Sequence, residues 1–387
     1  MSKLNKLYDK SKSFLYFQEN SNPKLNKFFL NELQKVLNDP ILLKNIKNEH
    51  LEIIKYLKSN ILEDKIINNR PKFTLTPNIL KEIEVIQYKD KLRYLVHRYR
   101  YDIYPLINKI DSFPPYLQIE PTSFCNYRCV FCFQSNPAFS KRSNGFMGHM
   151  KLDTFKKIID LAENNIEFIS LASRGEPLIC RDIELMLKYT VNKFLNLKIN
   201  TNASVLNEKM AHAILSSGVT TLVFSADAAD DLLYSKLRVN GNLKKILKNI
   251  ENFKRIKDSQ YPNKKIITRV SGVKVDKEQD FIKIKNFWES LVDQVAFVDY
   301  CPWEDVYNMP KNQIKKACSE LSRRMYIWWD GKANPCEVDF KSDLEVGNIF
   351  NSDIKNLWLS KKYNQLRENH LQSKRNSVSP CNKCLVV

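Results

Sequence analysis

The chain has 387 residues, and 43% of them are hydrophobic, enough to form the cores of about two or three domains. It contains no apolar run of about 18 residues and no signal-peptide pattern, which argues against a transmembrane helix and predicts a cytoplasmic protein. The formal charge of +19 comes from dispersed lysines without an arginine-rich tract or nucleic-acid motif, so we expect neither nucleic acid nor membrane as a partner.

Residues 1–112 are predicted to form a helical N-terminal extension. Asn22–Pro23 and Thr76–Pro77 each combine a capping side chain with a proline suited to the first helical turn, and apolar residues follow at helical spacing. Glycine is absent from this part of the sequence, and Pro114–Pro115 mark its end. We expect a cap or partner surface here rather than a catalytic site.

Residues 113–300 alternate short apolar segments with amphipathic helical segments. The predicted strands cover residues 116–120, 167–171, 195–199, 221–225, 266–270 and 294–298. This alternation predicts parallel βα units. Because six strands are too few for a closed eight-stranded barrel, we predict an α/β fold, a partial (β/α)6 TIM-like barrel, with its site at the C-terminal ends of the strands.

Three cysteines follow the first predicted strand: Cys125, Cys129 and Cys132. Thiolates at this spacing can ligate three irons of a cubane [4Fe–4S] cluster. No fourth cysteine lies nearby in the sequence, so one iron would stay open to a substrate or cofactor. The alternative is a zinc site, which needs a fourth ligand such as His149.

This motif and its position resemble the radical S-adenosylmethionine (SAM) superfamily, and the resemblance extends over roughly residues 116–387. It implies that SAM binds the open iron and that one electron cleaves SAM to a 5′-deoxyadenosyl radical, which takes a hydrogen atom from the substrate. It also implies that Phe131 packs near the adenine. A flavodoxin or ferredoxin-type electron donor is expected.

Three later segments are similar to polar loops of the same superfamily. Ser173–Pro177 is similar to its Gly-Gly-Glu-Pro stretch, with Arg174 in place of the first glycine. Asn200–Ala203 resembles the Thr-Asn-Gly turn near the ribose, and Ser225–Asp227 resembles the Ser-x-Asp on the SAM carboxylate side. The run Tyr234–Arg238 is similar as well. The SAM-binding residues that the resemblance implies are Gly175, Glu176, Asn200, Asn202, Ser225 and Asp227.

Residues 301–387 form a third region, small and α+β in character. We predict a hairpin around Asp330–Gly331 and a helix over residues 353–368. Its four cysteines are Cys318, Cys336, Cys381 and Cys384. A region this small holds little core, so a bound metal would add stability.

These four cysteines resemble the SPASM and twitch auxiliary domains of radical SAM enzymes. The longer SPASM form has seven cysteines, so four imply the twitch form with one fully ligated [4Fe–4S] cluster. The alternative is a zinc ion bound by the four thiolates.

A fully ligated auxiliary cluster can accept an electron but cannot coordinate a substrate. This favours an oxidoreductase. The resemblance to twitch-bearing enzymes, which include dehydrogenases of aminocyclitol alcohols, implies a carbinol of a sugar, cyclitol or nucleotide-sugar as its target. Arg174, Arg269 and Lys274 are candidates to hold such a small, anionic substrate. Candidates for the general base are Asp299, Glu304 and Asp305.

Three alternatives remain open. The first is a radical epimerase in which Cys301, just after the sixth strand, donates a hydrogen atom. The second is a peptide-modifying maturase, although such enzymes often carry a leader-binding domain with β-strands. The third is not an enzyme but a zinc-stabilised binding protein.

Overall fold

The computed structural model describes residues 7–9 and 27–387. The N-terminal extension contains α1 (Lys27–Asn38), α2 (Pro40–Lys44), α3 (Leu51–Ile61), α4 (Pro77–Val85) and α5 (Tyr88–Ile103). The predicted start of α4 is confirmed, because Thr76 Oγ1 accepts a hydrogen bond from Ile79 N at 3.4 Å. The other predicted start, Asn22–Pro23, lies outside the described residues.

The middle region is the expected barrel. Its strands are β1 (Tyr116–Ile119), β2 (Arg128–Cys129), β3 (Phe168–Leu171), β4 (Asn196–Thr201), β5 (Val219–Ser225), β6 (Arg238–Val239), β7 (Ile267–Lys274) and β8 (Gln294–Asp299). Its helices are α6 (Pro137–Ser140), α7 (Leu152–Ala162), α8 (Ile183–Tyr189), α9 (Glu208–Leu215), α10 (Asp231–Leu237), α11 (Leu243–Gln260) and α12 (Phe281–Glu289). Strands β1, β3, β4, β5, β7 and β8 pair in this order, all parallel, which confirms the partial barrel.

The two faces of the barrel strands differ in composition. Residues that face the helices are apolar and fully buried, as Leu197 and Ile199 of β4 illustrate. Alternate residues of a strand point to opposite faces, so the residues between them face the barrel interior. Several of these are polar, including Gln118, Lys198 and Arg269. The barrel therefore has an apolar outer core and a polar interior.

The C-terminal region continues the same sheet. Its strands are β9 (Arg324–Ile327), β10 (Lys332–Asn334) and β11 (Gly347–Asn348), and its helices are α13 (Ile354–Trp358) and α14 (Lys361–Leu371). The predicted hairpin is present, and β9 pairs in parallel with β1. The predicted single helix is two helices, because Ser360 caps a new one: its Oγ accepts a hydrogen bond from Tyr363 N at 3.3 Å.

The N-terminal helices cover the N-terminal ends of the barrel strands. The ring of His97 on α5 stacks on Phe168, the first residue of β3, with centroids 3.8 Å apart. Tyr101 contacts Tyr116, the first residue of β1, with centroids 5.6 Å apart. No helix of the described residues is both long and apolar enough to cross a membrane. The helical extension thus lies at the end of the barrel opposite the predicted site.

Candidate functional site

Cys125, Cys129 and Cys132 lie on the loop after β1, at the C-terminal edge of the barrel. Cys129 belongs to β2, which pairs antiparallel with β6 so that Cys129 lies opposite Arg238. Burial raises the pKa of the Cys125 thiol to about 12 and also raises that of Cys129. Buried thiols of this kind ionise when they bind a metal.

Neither set of cysteines is arranged for a single zinc ion. With Zn–S bonds of about 2.3 Å, tetrahedral geometry brings the sulfurs to within roughly 3.8 Å of one another. Within residues 7–9 and 27–387, the only group of three or more metal-ligand side chains whose ligand atoms all lie within 4.8 Å of one another is Glu49, His50 and Asp111. The wider spacing of the thiols suits a multi-iron cluster.

The turn at Gly175 and Glu176 holds the start of the cysteine loop. Glu176 N donates a hydrogen bond to Phe124 O at 2.8 Å. A Cβ atom on residue 175 would lie 2.2 Å from Thr122 O, so the close approach of the two backbones requires glycine there. Gly175 thus allows the two backbone segments to pack closely at the start of the cysteine loop.

The carboxylate of Glu176 links two strand-end loops. It is buried and accepts hydrogen bonds from Thr201 Oγ1 and Asn202 N, both at 2.7 Å, and from Leu178 N at 3.1 Å. Burial raises its pKa to about 7. The amide of Asn202 in turn lies beside the first cysteine, with Nδ2 4.0 Å from Cys125 Sγ.

Unused hydrogen-bonding capacity remains at this edge. Asn200 Oδ1 and Ser173 Oγ are buried and have no hydrogen-bond partner among the described residues. Ser225, at the end of β5, is only partly buried. Buried polar atoms without protein partners are found where a polar ligand completes the network. Together with three thiols, these groups fit an iron–sulfur cluster and SAM.

Asp227 forms an ion pair with Arg238, a residue to which the sequence analysis assigned no role. Its Oδ2 lies 2.6 Å from Nε of Arg238, and its Oδ1 accepts a hydrogen bond from Val273 N at 2.6 Å. Arg238 Nη1 is 3.8 Å from Cys129 Sγ, and the guanidinium lies 5.6 Å from the ring centroid of Phe131. The only indication of this buried arginine in the sequence was the similarity of the run Tyr234–Arg238 to the radical SAM superfamily.

Two of the cations expected to hold substrate are already paired, so that expectation is wrong for them. Arg174 Nε and Nη2 each lie 2.6 Å from a Glu120 carboxylate oxygen, while its Nη1 donates to Phe340 O at 2.8 Å. Arg269 donates to Gln294 Oε1 at 2.6 Å. Arg174 therefore joins the barrel to the C-terminal region.

Cys301 lies in a buried apolar cluster rather than on an open surface. It is 7% exposed and packs in a group that includes Phe133, Phe340 and Cys384. This group connects the cysteine loop with the C-terminal region. The placement suits a packing role for the Cys301 side chain.

The cysteines of the second set lie near one another, and backbone N–H groups donate hydrogen bonds to two of their sulfur atoms. Burial, and then the nearby Cys384 and Cys318 thiols, raise the pKa of Cys381. Val338 N lies 3.3 Å from Cys336 Sγ and Val386 N lies 3.4 Å from Cys384 Sγ, both as hydrogen-bond donors. N–H groups that point at sulfur are typical of iron–sulfur ligation.

Two sequence profiles match the chain. Residues 119–287 match the Radical SAM superfamily, and residues 318–385 match an iron–sulfur cluster-binding domain, SPASM. A Radical SAM domain binds a [4Fe–4S] cluster and SAM, and a SPASM domain binds auxiliary iron–sulfur clusters.

Relatives and solved structures are similar over large parts of the chain. A GTP 3′,8-cyclase of Listeria welshimeri is 25% identical over 56% of this chain, and the match spans 65% of that relative, just under two thirds of its length. Streptococcus suis SuiB bound to precursor peptide SuiA has a TM-score of 0.53 at 19% identity, covering 89% of this chain and 87% of that one. The protein anSMEcpe with bound AdoMet has a TM-score of 0.50 at 15% identity, covering 70% of this chain and 84% of that one.

The two matching profiles follow one another along the sequence, and each contains one of the two cysteine sets. The first runs from the last residue of β1 into α12, and the second covers β9 to α14. The chain therefore contains a Radical SAM domain followed by a C-terminal SPASM iron–sulfur domain.

Proposed function

We propose that this chain is a radical SAM oxidoreductase that converts a carbinol of a sugar, cyclitol or nucleotide-sugar to a carbonyl group. The main support is the second set of thiols, Cys318, Cys336, Cys381 and Cys384, which supplies four ligands for one auxiliary cluster. Four thiolates leave no iron open to a substrate. A cluster of this kind is suited to accept the second electron of an oxidation, as in the twitch form.

When bound, the first cluster and SAM supply a 5′-deoxyadenosyl radical, which takes a hydrogen atom from the carbinol carbon. In this proposal Cys125, Cys129 and Cys132 hold that cluster. Glu176, Asn200, Asn202 and Ser225 orient SAM, and Phe131 packs on its adenine. Arg238, positioned by Asp227, presents a positive charge to the SAM carboxylate.

Glu304 is the best-placed proton acceptor of the three candidate bases. Its Oε2 is buried and makes no hydrogen bond within the described residues, while its Oε1 accepts from Tyr300 OH. Burial raises the pKa of Glu304, which suits proton acceptance. Asn136 Nδ2 donates to Glu304 O at 3.0 Å and so holds this segment on the cysteine loop. In this proposal the hydrogen atom goes to the 5′-deoxyadenosyl radical, the proton to Glu304 and the electron to the auxiliary cluster.

The alternatives receive less support. The apolar surroundings of Cys301 favour packing over hydrogen donation in an epimerase. Within residues 27–112, the extension is helical without a strand and lies at the opposite barrel end, unlike a leader-binding domain with β-strands. The spacing of the thiols weighs against a zinc-stabilised binding protein.

The first experiment is anaerobic reconstitution followed by iron and sulfide analysis and incubation with SAM and dithionite. Two cubanes correspond to about eight irons per chain, and cluster activity yields 5′-deoxyadenosine. One or two zinc ions without sulfide, and no 5′-deoxyadenosine, would contradict the proposal.

The reaction type is tested with substrate in deuterated water. Oxidation predicts one carbonyl product per 5′-deoxyadenosine and no solvent deuterium at the reacting carbon. Epimerisation predicts deuterium in the product and its loss in Cys301→Ala. Incorporated deuterium without net oxidation would favour the epimerase and end the oxidoreductase assignment.

A further inference from the structure

Lys198 is a lysine in the middle of a barrel strand. It lies in β4 between Leu197 and Ile199, which are both fully buried against the outer helices. Its side chain therefore faces the barrel interior. Its Nζ is 5.5 Å from the ring centroid of Tyr116, the first residue of β1. The ammonium group is thus deep in the barrel, on the same face as Asn200 and roughly 6–7 Å below it along the strand.

Lys198 differs from its cationic neighbours in having no acidic partner. Arg324 is paired with Glu320 at 3.2 Å, and Arg269 faces Glu82 at 3.8 Å. For Lys198, no carboxylate oxygen lies within 4.0 Å of Nζ and no acceptor makes a hydrogen bond with it within residues 7–9 and 27–387. At the N-terminal end of the barrel interior, the barrel floor, the charge of Lys198 therefore has no carboxylate at contact distance among the described residues.

An unpaired ammonium group in the barrel interior destabilises the free protein. Burial, together with the charges of Arg324 and Arg269, lowers the pKa of Lys198 to about 8. The group remains largely protonated at neutral pH, so an anion that reaches it regains favourable electrostatic energy. A lysine with a purely structural role would be expected to have a partner in the protein.

Several inward-facing side chains above Lys198 are not fully buried. The inward-facing residues Asn200 of β4, Ser225 of β5, Ser271 of β7 and Val298 of β8 all retain partial exposure, as does Lys198 itself. Ser225 and Ser271 lie directly opposite each other in the sheet register. Partly exposed and mostly polar side chains therefore line part of the barrel interior between its C-terminal edge and the lysine.

We propose that Lys198 binds an oxyanion of the substrate, a carboxylate or a phosphate, and so sets the depth of the substrate below the SAM-facing side chains. The proposal rests on the function proposed above, which places a substrate inside the barrel. It narrows the substrate class to molecules in which an oxyanion lies on the far side of the reacting carbon. The acidic residues of the floor, Glu82 and Glu320, lie against Arg269 and Arg324. The charge of Lys198 therefore remains available to a ligand.

The test uses the full chain, anaerobically reconstituted, as wild type, Lys198→Met and Lys198→Gln. Lys188→Met is the matched control, since Lys188 is exposed on α8. Thermal unfolding is followed in potassium phosphate, in potassium acetate and in potassium chloride of equal ionic strength. The anion that stabilises the wild type distinguishes a phosphate from a carboxylate.

Wild type and Lys188→Met are expected to be stabilised by one of the two anions, whereas Lys198→Met binds it at least about 30-fold more weakly. Without the anion, Lys198→Met is expected to unfold at a higher temperature than wild type, because an unpaired buried charge is gone. A lower unfolding temperature or loss of folding in both Lys198 variants would show a structural role and overturn the proposal. Equal anion responses, or none in wild type, would also overturn it.

The proposed radical chemistry is measured separately, as 5′-deoxyadenosine formed by wild type with SAM and dithionite. Absence of 5′-deoxyadenosine counts against the proposed function alone. An unchanged anion response in the Lys198 variants counts against the lysine assignment alone.

Discussion

The polar side chains beside the cysteine loop differ in their hydrogen bonding from the Arg93–Glu167 pair at the other end of the barrel. At the C-terminal edge, Asn200 Oδ1, Ser173 Oγ and Glu304 Oε2 are buried without a hydrogen-bond partner in the described residues. At the N-terminal edge, Arg93 makes a bidentate contact with Glu167, with a shortest distance of 2.7 Å. Unpaired buried groups cost stability and are retained where a ligand uses them, whereas the Arg93–Glu167 pair needs no ligand to satisfy it.

This difference predicts how substitutions separate into two classes. Changes at the C-terminal edge should affect cluster content or 5′-deoxyadenosine formation, whether or not they also affect stability, while changes at the N-terminal edge should affect the free energy of unfolding alone. A variant at the N-terminal edge that loses 5′-deoxyadenosine formation but keeps its iron would contradict this division.

The largest effect is expected from Cys129→Ala. Removing one of three thiolates should lower 5′-deoxyadenosine formation by more than about 100-fold, because the site loses a direct iron ligand. Iron content should fall from about eight to about four per chain. Cys180→Ala is the control, since Cys180 is a buried cysteine outside both sets, and it should keep its iron. Full iron content in Cys129→Ala would show that this thiol is not a ligand.

Next in size is Arg238→Met. It leaves the fully buried Asp227 without its charge partner, which should lower the free energy of unfolding by about 3–5 kcal/mol. Combining it with Asp227→Asn should recover much of the loss, because the buried charge is then absent. Denaturant unfolding under anaerobic conditions measures both. Additive losses in the double variant would mean that the two residues do not act as a pair.

His97 is an exception at the N-terminal edge, and its replacement should stabilise the protein. Both ring nitrogens are buried without a hydrogen-bond partner in the described part of the chain, although the ring stacks on Phe168. His97→Phe keeps the stacking and removes the unpaired groups, so it should raise the free energy of unfolding by about 1–2 kcal/mol. Denaturant unfolding at neutral pH measures the gain.

The pH dependence gives a second readout for His97. Burial lowers the pKa of His97 well below its usual value. The unfolded chain therefore takes up a proton near pH 6.5 that the folded chain does not, and wild type loses stability as the pH falls below about 6.5. The advantage of His97→Phe should grow between about pH 7 and pH 5. A constant difference over that range would mean that His97 ionises equally in both states.

The six barrel strands and the first cysteine loop were predictable because periodicity and a local motif encode them. The pairing of β9 with β1 was not, because strands so far apart in sequence carry no local mark of their partnership. Arg174 shows the same limit. Its partner Glu120 is 54 residues away, and only the folded chain reveals that the guanidinium is already neutralised.

The smallest effect is expected from Glu167→Gln at the N-terminal edge. The substitution removes the charge that Arg93 pairs with but keeps an acceptor of similar size, and both side chains are partly exposed. It should therefore lower the free energy of unfolding by only about 0.5–1 kcal/mol, and less at high salt. Because Glu167 lies at the end of the barrel away from the cysteine loop, 5′-deoxyadenosine formation should stay at the wild-type rate. A clear loss of that activity with intact iron content would show that the two ends are coupled through the strands, against the division drawn above.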